Sequence, residues 1–337
     1  MSGLLQKRIV ALVIIMTGLF PAVLIPGCSS DNSETSKFNS GADEITIEEQ
    51  AIPLSQMDPT SINSAFEIPI PDAPGLLAEK NDQAFIDHSN KHYGYVTVGF
   101  LENTENNIKV MIVVPGGREY VYGLTPGSNE VFPLSDGDGR YIISIHEHVI
   151  DNIFRDVLST TIYVELINEF VPFLHPSQYV SYCKESPVTA KAYELSMTNG
   201  NLVELIEAVY NFVVENISYD FEFAETVGVG YTPDLNKVLE RGSGICLDMA
   251  TLTTAMLRSQ GIPSKLVFGY YYDSTLGNIY HAWVSVFSEE DGKIGESINI
   301  IGGTWNILDP SLVSILGMSE TGVTVGDGKI YHDLYYY

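Results

Sequence analysis

After residue 92, apolar residues alternate with polar ones or run in short blocks, and this pattern predicts β-strands. Glycine, proline and asparagine turns separate the apolar segments, which are residues 95–100, 108–114, 120–122, 140–145 and 160–166. Short strands at this spacing are typical of a β-sandwich, which we place at residues 93–175. We expect this domain to support the one that follows or to bind a polymer.

The pattern changes to helical spacing after a glycine-broken loop that precedes residue 246. Apolar and small residues recur three and four positions apart from Met249 to Ser259, which predicts a helix over residues 247–258 that buries one side. Ser243 is the predicted N-cap, and the Gly-Ile-Pro run at 261–263 marks the end of the helix. Cys246 therefore lies in the first turn.

Three strands are predicted after this helix. Residues 264–272, rich in Val, Phe and Tyr, form the first. Residues 280–287 alternate, so that His281 and Trp283 face the same side of the sheet. Residues 304–309 form a short strand that Pro310 ends, which puts Asp309 at its tip. If the last two strands are antiparallel neighbours, the Asp309 carboxylate reaches the His281 imidazole.

Cys246, His281 and Asp309 have the residue types of a thiol nucleophile, its base and the group that orients the base. A cysteine attacks as thiolate, and an isolated thiol, with a pKa of about 8.5, is mostly protonated at neutral pH. A helix N-terminus and a nearby imidazolium both favour the thiolate. The carboxylate fixes the imidazole tautomer, and the imidazolium protonates the leaving amine. The chemistry predicted is acyl transfer from an amide.

Several motifs resemble, in order, those of the bacterial and archaeal transglutaminase-like superfamily. They are Gly-Ile-Cys-Leu-Asp-Met-Ala at 244–250, Met-Leu-Arg-Ser-Gln-Gly-Ile-Pro at 256–263, His-Ala-Trp-Val at 281–284 and Trp-Asn-Ile-Leu-Asp-Pro at 305–310. Residues 209–220 and 231–234 are similar to the helix, the Tyr-bearing turn and the connecting segment that precede the nucleophile in this family. The resemblance spans roughly residues 202–313.

The resemblance implies an α+β fold for residues 176–337, with a papain-like core in which the nucleophile helix packs on an antiparallel sheet. Position by position, it makes Cys246 the nucleophile, His281 the base and Asp309 the orienting acid. Residues 288–303 look longer than the family's usual tight hairpin, which would alter substrate access. Hydrolysis and transamidation share all these residues. For bacterial members a peptidase or amidase is favoured over a protein-crosslinking transglutaminase, with extracellular proteins or cell-envelope peptides as substrates.

Other residues near these motifs have both a functional and a structural interpretation. Tyr219, Gly244 and Trp283 are candidates for contacting the substrate or the oxyanion, although Trp283 fits the core better and Tyr219 fits a site wall and the core equally well. Asp248 fits a solvated or capping carboxylate at the helix start better than a catalyst. Cys183 is expected to be a structural thiol, because a disulfide to Cys246 would remove the nucleophile.

The N-terminus predicts export. Lys7 and Arg8 precede an apolar run that ends in a lipobox-like sequence at Cys28. Residues 1–27 thus resemble a bacterial lipoprotein signal, after which a lipid on Cys28 would anchor an extracytoplasmic protein to the cell membrane. The alternative is an uncleaved anchor helix over residues 9–25, which Pro21 interrupts. Residues 28–55 are predicted to be a flexible acidic tether, and residues 56–92 an irregular, proline-rich connector.

Composition limits the partners. The 17 basic and 43 acidic residues give a formal net charge of −26, so nucleic-acid binding is not expected. No cofactor or metal is predicted either. Asp136 and Asp138 lie in a segment that lacks the glycine of a calcium loop, and His146 and His148 share a strand face without a third ligand nearby. The alternative to an enzyme is a non-catalytic surface module whose sandwich binds a partner.

Overall fold

The computed structural model of the chain describes residues 68–273, 277–295, 298–316 and 329–337. The predicted signal, Cys28, the tether and the first part of the connector lie outside the described residues. Within the described ranges, none of the helices combines the length and the apolar composition that crossing a membrane requires. The described chain is a mixed α+β protein in which antiparallel sheets predominate, so the predicted fold class is confirmed.

Two four-stranded antiparallel sheets form the N-terminal β-rich region. Their strands are β1 (Ala78–Lys80), β2 (Ala84–Asp87), β3 (Tyr95–Phe100), β4 (Ile108–Val113), β5 (Glu119–Leu124), β6 (Asn129–Pro133), β7 (Gly139–Ile150) and β8 (Ile153–Val164). The first sheet has the order β1-β2-β3-β6 and the second the order β5-β4-β7-β8. Every second side chain of β4 is buried, which is the alternation expected for a sheet with one face in the core.

The first sheet begins earlier than the sequence pattern suggested, because β1 and β2 form a hairpin within the segment expected to be irregular. The Asn81 side chain accepts hydrogen bonds from the backbone N–H groups of Gln83 and Ala84, each at 2.9 Å, and this turn reverses the chain. Ala84 and Ile86 are then fully buried. Strands of three and four residues are too short for their alternation to stand out in a sequence.

The C-terminal region contains six described α-helices and a third sheet. The helices are α1 (Pro187–Ser196), α2 (Leu202–Asn216), α3 (Phe221–Thr226), α4 (Leu235–Arg241), α5 (Cys246–Arg258) and α6 (Pro310–Leu316). The remaining strands are β9 (Ser218–Tyr219), β10 (Ser243–Gly244), β11 (Ser264–Asp273), β12 (Gly277–Ser288), β13 (Gly292–Ile294), β14 (Ile298–Ile300), β15 (Thr304–Leu308) and β16 (Tyr331–Tyr336). The third sheet has the antiparallel order β15-β12-β11-β16, and α5 packs against β11 and β12.

The pairing of β12 with β15 sets up the polar end of this sheet. Val284 lies opposite Leu308, so Asp309 follows directly after a paired position, while His281 lies three residues before Val284 on the neighbouring strand. The connection between the two strands carries a hairpin of its own, β13 with β14, and β13 contacts α2. This hairpin lies within residues 288–303, the connection that the sequence analysis found to be longer than a tight turn.

The strand β16 lies beside β11 and also contacts the β-rich region. Ser135 Oγ donates a hydrogen bond to the carbonyl of Tyr336 at 2.6 Å, and the Tyr336 N–H donates to the Tyr120 hydroxyl at 3.2 Å. The Arg118 guanidinium donates to the carbonyl of Leu334. Through these hydrogen bonds β16 joins the two parts of the described chain.

Arg258, the last residue of α5, is fully buried and bonds only to backbone carbonyls among the described residues. Its guanidinium donates to the carbonyls of Ser264 at 2.7 Å, His175 at 3.1 Å and Tyr337 at 2.6 Å. Burial lowers the pKa of Arg258 to about 10, which leaves the group charged at neutral pH. One cation thus joins α5, the segment after β8 and the end of β16.

Replacing Arg258 with Met should lower the free energy of unfolding by about 3 kcal/mol or more. Each of three buried carbonyl oxygens loses a hydrogen bond, although that of Tyr337 keeps the one from the Leu266 N–H, and each such loss costs about 1–3 kcal/mol. Urea unfolding followed by circular dichroism would measure the effect. Arg140→Met, at an exposed site on β7, is the matched control and should change stability by less than about 0.5 kcal/mol. Equal stability of the two variants would contradict the structural role of Arg258.

Candidate active site

Cys246 is the first residue of α5, and its thiol is free and partly exposed. Ile245 is the N-cap residue, and its backbone N–H donates to Asp248 Oδ2 at 2.9 Å. Ser243 lies in β10, so the prediction that it caps the helix was wrong. A Cβ on Gly244 would lie 2.6 Å from the Asp248 Cβ. Only a glycine therefore leaves room for the carboxylate to fold back onto the helix start.

Asp248 is fully buried, so it is a capping carboxylate and not a solvated one. Its Oδ1 accepts a hydrogen bond from the Tyr231 hydroxyl at 2.5 Å, and its Oδ2 accepts one from Arg241 Nη2 at 3.0 Å. Burial raises the pKa of Asp248, although these two partners and the Ile245 N–H oppose the rise. The carboxylate thereby fixes the loop that presents the thiol.

The imidazole of His281 and the carboxylate of Asp309 are in direct contact. The distance from Nε2 to Oδ2 is 2.8 Å, and both side chains are buried. Since Nε2 bonds to the carboxylate, the proton on that nitrogen is fixed there. The other ring nitrogen, Nδ1, makes no hydrogen bond of ordinary geometry to a described residue. The Cys246 thiol is close enough to raise the pKa of the ring, which leaves Nδ1 as the atom that can exchange a proton with sulfur.

Asp309 is held by further hydrogen bonds from three elements. Its Oδ2 accepts a second one from the Tyr331 hydroxyl at 2.9 Å. Its Oδ1 accepts from Ser311 Oγ and from the Leu312 N–H, each at 2.9 Å, and its backbone carbonyl accepts from the Tyr210 hydroxyl at 3.2 Å. Because Leu312 lies in the first turn of α6, the carboxylate also caps that helix.

Burial disfavours charge on both members of this pair, but their contact outweighs it. Burial lowers the pKa of His281, whereas Asp309 and Cys246 raise it, and the result is a pKa of about 10. Burial raises the pKa of Asp309, but His281 and the hydrogen bonds from Leu312 and Ser311 bring it below its ordinary value. At neutral pH the pair is therefore an imidazolium and a carboxylate. A charged imidazole beside a thiol favours the thiolate.

Tyr219 lies beside Cys246. It is the last residue of β9, which pairs in parallel with β10 so that Tyr219 is opposite Gly244. Burial raises the pKa of Tyr219 well above its usual value, and the Cys246 backbone and thiol also hydrogen-bond to its hydroxyl. The hydroxyl therefore stays protonated and can donate a hydrogen bond. Among the predicted oxyanion candidates, Tyr219 has a side-chain donor next to the sulfur, whereas Gly244 makes room for the cap.

Trp283 is a core residue beneath the histidine. Its ring is fully buried and packs with a centroid separation of 6.1 Å against His281 and 4.9 Å against Tyr331. The sequence did not point to Tyr331 or to Ser311 as partners of Asp309. The run Asp-Pro-Ser at 309–311 is a helix-start signal that could have found Ser311. Tyr331 had no local signal, since sheet pairing brings it to Asp309 from 22 residues away.

Cys183 and the histidine considered as a metal ligand lie away from this site. Cys183 does not pair with Cys246, whose thiol is free, as the sequence analysis expected. His148 Nε2 bonds to the carbonyl of Asp151 at 2.7 Å. In the described ranges, no group of three or more His, Cys, Asp or Glu side chains is placed to hold a metal ion.

His146 lies between two polar side chains of the β-rich region. Its Nε2 is 2.8 Å from Ser144 Oγ, and its Nδ1 is 2.8 Å from Asp156 Oδ1. The order serine, histidine, aspartate is that of a hydrolase triad. However, Ser144 lies in the middle of β7, which pairs with β4 and β8 on its two sides, and the Asp156 side chain is 84% exposed. Backbone N–H groups committed to a sheet offer no oxyanion site, so we assign this cluster no catalytic role.

Residues 189–310 match the family model described as the Transglutaminase-like superfamily. An uncharacterized protein of Mycobacterium leprae is 32% identical over 103 residues, which are 28% of this chain and 31% of that protein. The chain therefore matches less than a third of the length of this curated relative.

Two solved structures are similar to the chain at low identity. One is a protein from Cytophaga hutchinsonii whose assignment as a cysteine protease is provisional, with 14% identity, 78% of this chain and 74% of that chain covered, and a TM-score of 0.39. The other is red sea bream transglutaminase, with 13% identity, 64% of this chain and 47% of that chain covered, and a TM-score of 0.26.

The family match contains α2, α5, β11, β12 and β15, and within it lie Cys246, His281 and Asp309. These are the elements and the motifs from which the site is built. The similarity to the Transglutaminase-like superfamily therefore covers the part of the chain in which the site lies.

Proposed function

We propose that the chain is a cysteine-dependent enzyme that transfers the acyl group of an amide or peptide bond, with hydrolysis as the favoured outcome. Cys246 is the nucleophile, His281 the general acid and base, and Asp309 the group that orients and charges the histidine. The observation that carries the proposal is the 2.8 Å contact of His281 Nε2 with the buried Asp309, which leaves Nδ1 for the thiol at the start of α5.

The site supplies each step of such a reaction. The Cys246 thiolate forms a bond to the carbonyl carbon, and the carbonyl oxygen becomes an oxyanion that the Cys246 N–H and the Tyr219 hydroxyl stabilise. The C–N bond then breaks as the His281 imidazolium gives its Nδ1 proton to the departing amine. The neutral imidazole next removes a proton from water, which attacks the thioester. The products are a carboxylic acid, an amine and the free thiol.

Replacing water by a primary amine in the last step would give transamidation with the same residues. A peptidase or amidase acting on extracellular proteins or cell-envelope peptides is the proposal that we favour, and a protein-crosslinking transglutaminase is the alternative. The match to a superfamily of cysteine-dependent proteases and acyltransferases supports either outcome.

Outside the family match, we propose the organisation inferred from the sequence. A lipid on Cys28 would hold the protein on the outer side of the cell membrane, with residues 28–55 as a tether. Residues 93–175 would serve as an accessory β domain and residues 176–337 as the catalytic domain. Mass spectrometry of the membrane fraction before and after lipase treatment would test the anchor at Cys28.

Cys246→Ala should abolish turnover of an amide substrate while leaving the fold unchanged, because it removes only the partly exposed thiol. The soluble part of the chain, from Ser29 onward, would be incubated with peptide libraries with and without a primary amine. Cleavage products support a peptidase, and incorporation of the amine supports a transferase. Identical product profiles for the wild type and the alanine variant would show instead that the protein is a non-catalytic module.

Tyr219→Phe should lower kcat by about 10²-fold, because it removes one of two oxyanion donors that act mainly in the transition state. The value of KM should change little, since the ring and its packing remain. Tyr272→Phe, at an exposed tyrosine of β11, is the matched control. Unchanged kcat in the Tyr219 variant would remove this residue from the oxyanion site.

Asp309→Asn should lower the pKa of His281, because it removes the charge that raises it to about 10. In the wild type the His281 imidazolium persists until the pH approaches about 10. In the variant it should lose its proton at a pH at least about one unit lower. The rate of Cys246 alkylation by iodoacetamide, measured across pH, would report this change as a downward shift of the upper inflection. Asp333→Asn, at an exposed position of β16, should leave the inflection in place.

A further inference from the structure

Tyr331 is a buried residue of β16, beyond the end of the family match at residue 310. Its hydroxyl donates to Asp309 Oδ2 at 2.9 Å, and the same oxygen accepts from His281 Nε2 at 2.8 Å. Two donors therefore share one carboxylate oxygen. The mechanism described above uses the histidine and leaves the tyrosine without a role.

The carboxylate does not need Tyr331 to stay in place. Its other oxygen, Oδ1, is fixed by Ser311 Oγ and by the Leu312 N–H, each at 2.9 Å. Together with the bond to His281, these contacts define the plane of the carboxylate. The tyrosine therefore acts mainly on the distribution of charge over Asp309, because a hydrogen bond to the charged form of a carboxylate stabilises that form and competes with other donors.

We propose that Tyr331 is a positioning residue of the acid–base pair, whose hydroxyl takes up part of the charge on Asp309 Oδ2 and so limits how strongly the carboxylate holds the proton on His281. This inference rests on the proposed role of His281 as general acid and base. The tyrosine does not touch the reacting atoms and acts only through Asp309.

The physical need for such a limit comes from the two tasks of His281. The ring must be charged to keep the thiolate, and it must then release its proton to the leaving amine. A general acid works best when its pKa is near the working pH. Burial with Asp309 and Cys246 already sets the pKa of His281 at about 10. An Asp309 without a competing donor would raise it further and slow the proton transfer.

The groups around the pair allow the pH dependence to be assigned. Cys246 faces the imidazole from α5. Among the residues that the structure describes, the other titratable groups near the pair are tyrosines, namely Tyr219 on β9, Tyr210 on α2, Tyr271 on β11, Tyr280 on β12 and Tyr331 itself. Burial raises the pKa of each, to about 12 for Tyr271 and further for the others. Near pH 10 the imidazolium is therefore expected to lose its proton while these tyrosines keep theirs.

The β-rich region fixes the strand that carries this hydroxyl. Arg118, Ser135 and Tyr120 all bond to the backbone of β16, and the Tyr331 ring packs at 4.9 Å from Trp283, centroid to centroid. Trp283 in turn lies against the His281 ring. The tyrosine is thus held from both sides in a fixed relation to the histidine.

The test compares Tyr331→Phe with Tyr336→Phe in the soluble chain from Ser29 onward. The control also removes a hydroxyl that bonds to an aspartate, Asp333, on the same strand but at an exposed site. The rate of Cys246 alkylation by iodoacetamide would be measured from about pH 4 to pH 11, with circular dichroism to confirm folding at each pH. Titration of the His281 imidazolium gives the upper inflection of this profile.

Tyr331→Phe should move the upper inflection, which reports the imidazolium, upward by about half a pH unit to one unit. Tyr336→Phe should leave it in place. An unmoved upper inflection in Tyr331→Phe would show that the tyrosine serves packing alone. A downward shift would show that it strengthens the pair, and either result overturns the proposal.

A second variant keeps the test decisive if Tyr331→Phe does not fold. Ser311→Ala removes a donor from the other oxygen of the same carboxylate, so it should also move the upper inflection upward. No shift in that variant would mean that donors to Asp309 do not set the acidity of His281. Alkylation needs no substrate, so the outcome is independent of whether a cleaved or crosslinked product has been found.

Discussion

The buried carboxylate of Asp309 is the constraint on which the site depends. A charge with no access to water is costly unless it is paired and its oxygens are bonded. Here the partners come from different elements, namely His281 from β12, Tyr331 from β16, and Ser311 with the Leu312 N–H from α6. Each element must lie within hydrogen-bond distance of the same carboxylate. Hydrogen bonding to this one carboxylate therefore fixes the relative positions of β12, β16 and α6.

The second buried carboxylate, Asp248, performs a similar task for the segment that carries Cys246. It folds back over the start of α5 and bonds to the Ile245 N–H, as Asp309 bonds to an N–H at the start of α6. A negative charge this close to Cys246 would oppose a thiolate. Its contacts with Arg241 and with the Tyr231 hydroxyl offset that charge. The Asp248 carboxylate can therefore fix the start of α5 without strongly disfavouring a thiolate at Cys246.

Local signals in the sequence were sufficient for the helix and for the His–Asp pairing. Helical spacing with a Gly-Ile-Pro stop located α5, and alternation around His281 with Pro310 after Asp309 located the two strand ends. The N-cap was predicted at Ser243 but lies at Ile245. A serine is a good capping residue, but the Asp248 carboxylate caps the helix start instead, because Gly244 leaves room for it. Tyr331 could not be found, since only the ladder between β11 and β16 brings it to the site.

The β-rich region had two expected roles, which were support of the following domain and binding of a polymer. Its contacts with β16 favour support. The strand pairs with β11 along one edge, and Arg118, Ser135 and Tyr120 bond to its backbone from the β-rich region. Without these contacts β16 would be an edge strand held by a single ladder, and edge strands with one partner are the least constrained part of a sheet. Because Tyr331 belongs to this strand, the β-rich region helps to fix the position of the hydroxyl that shares Asp309 Oδ2 with His281.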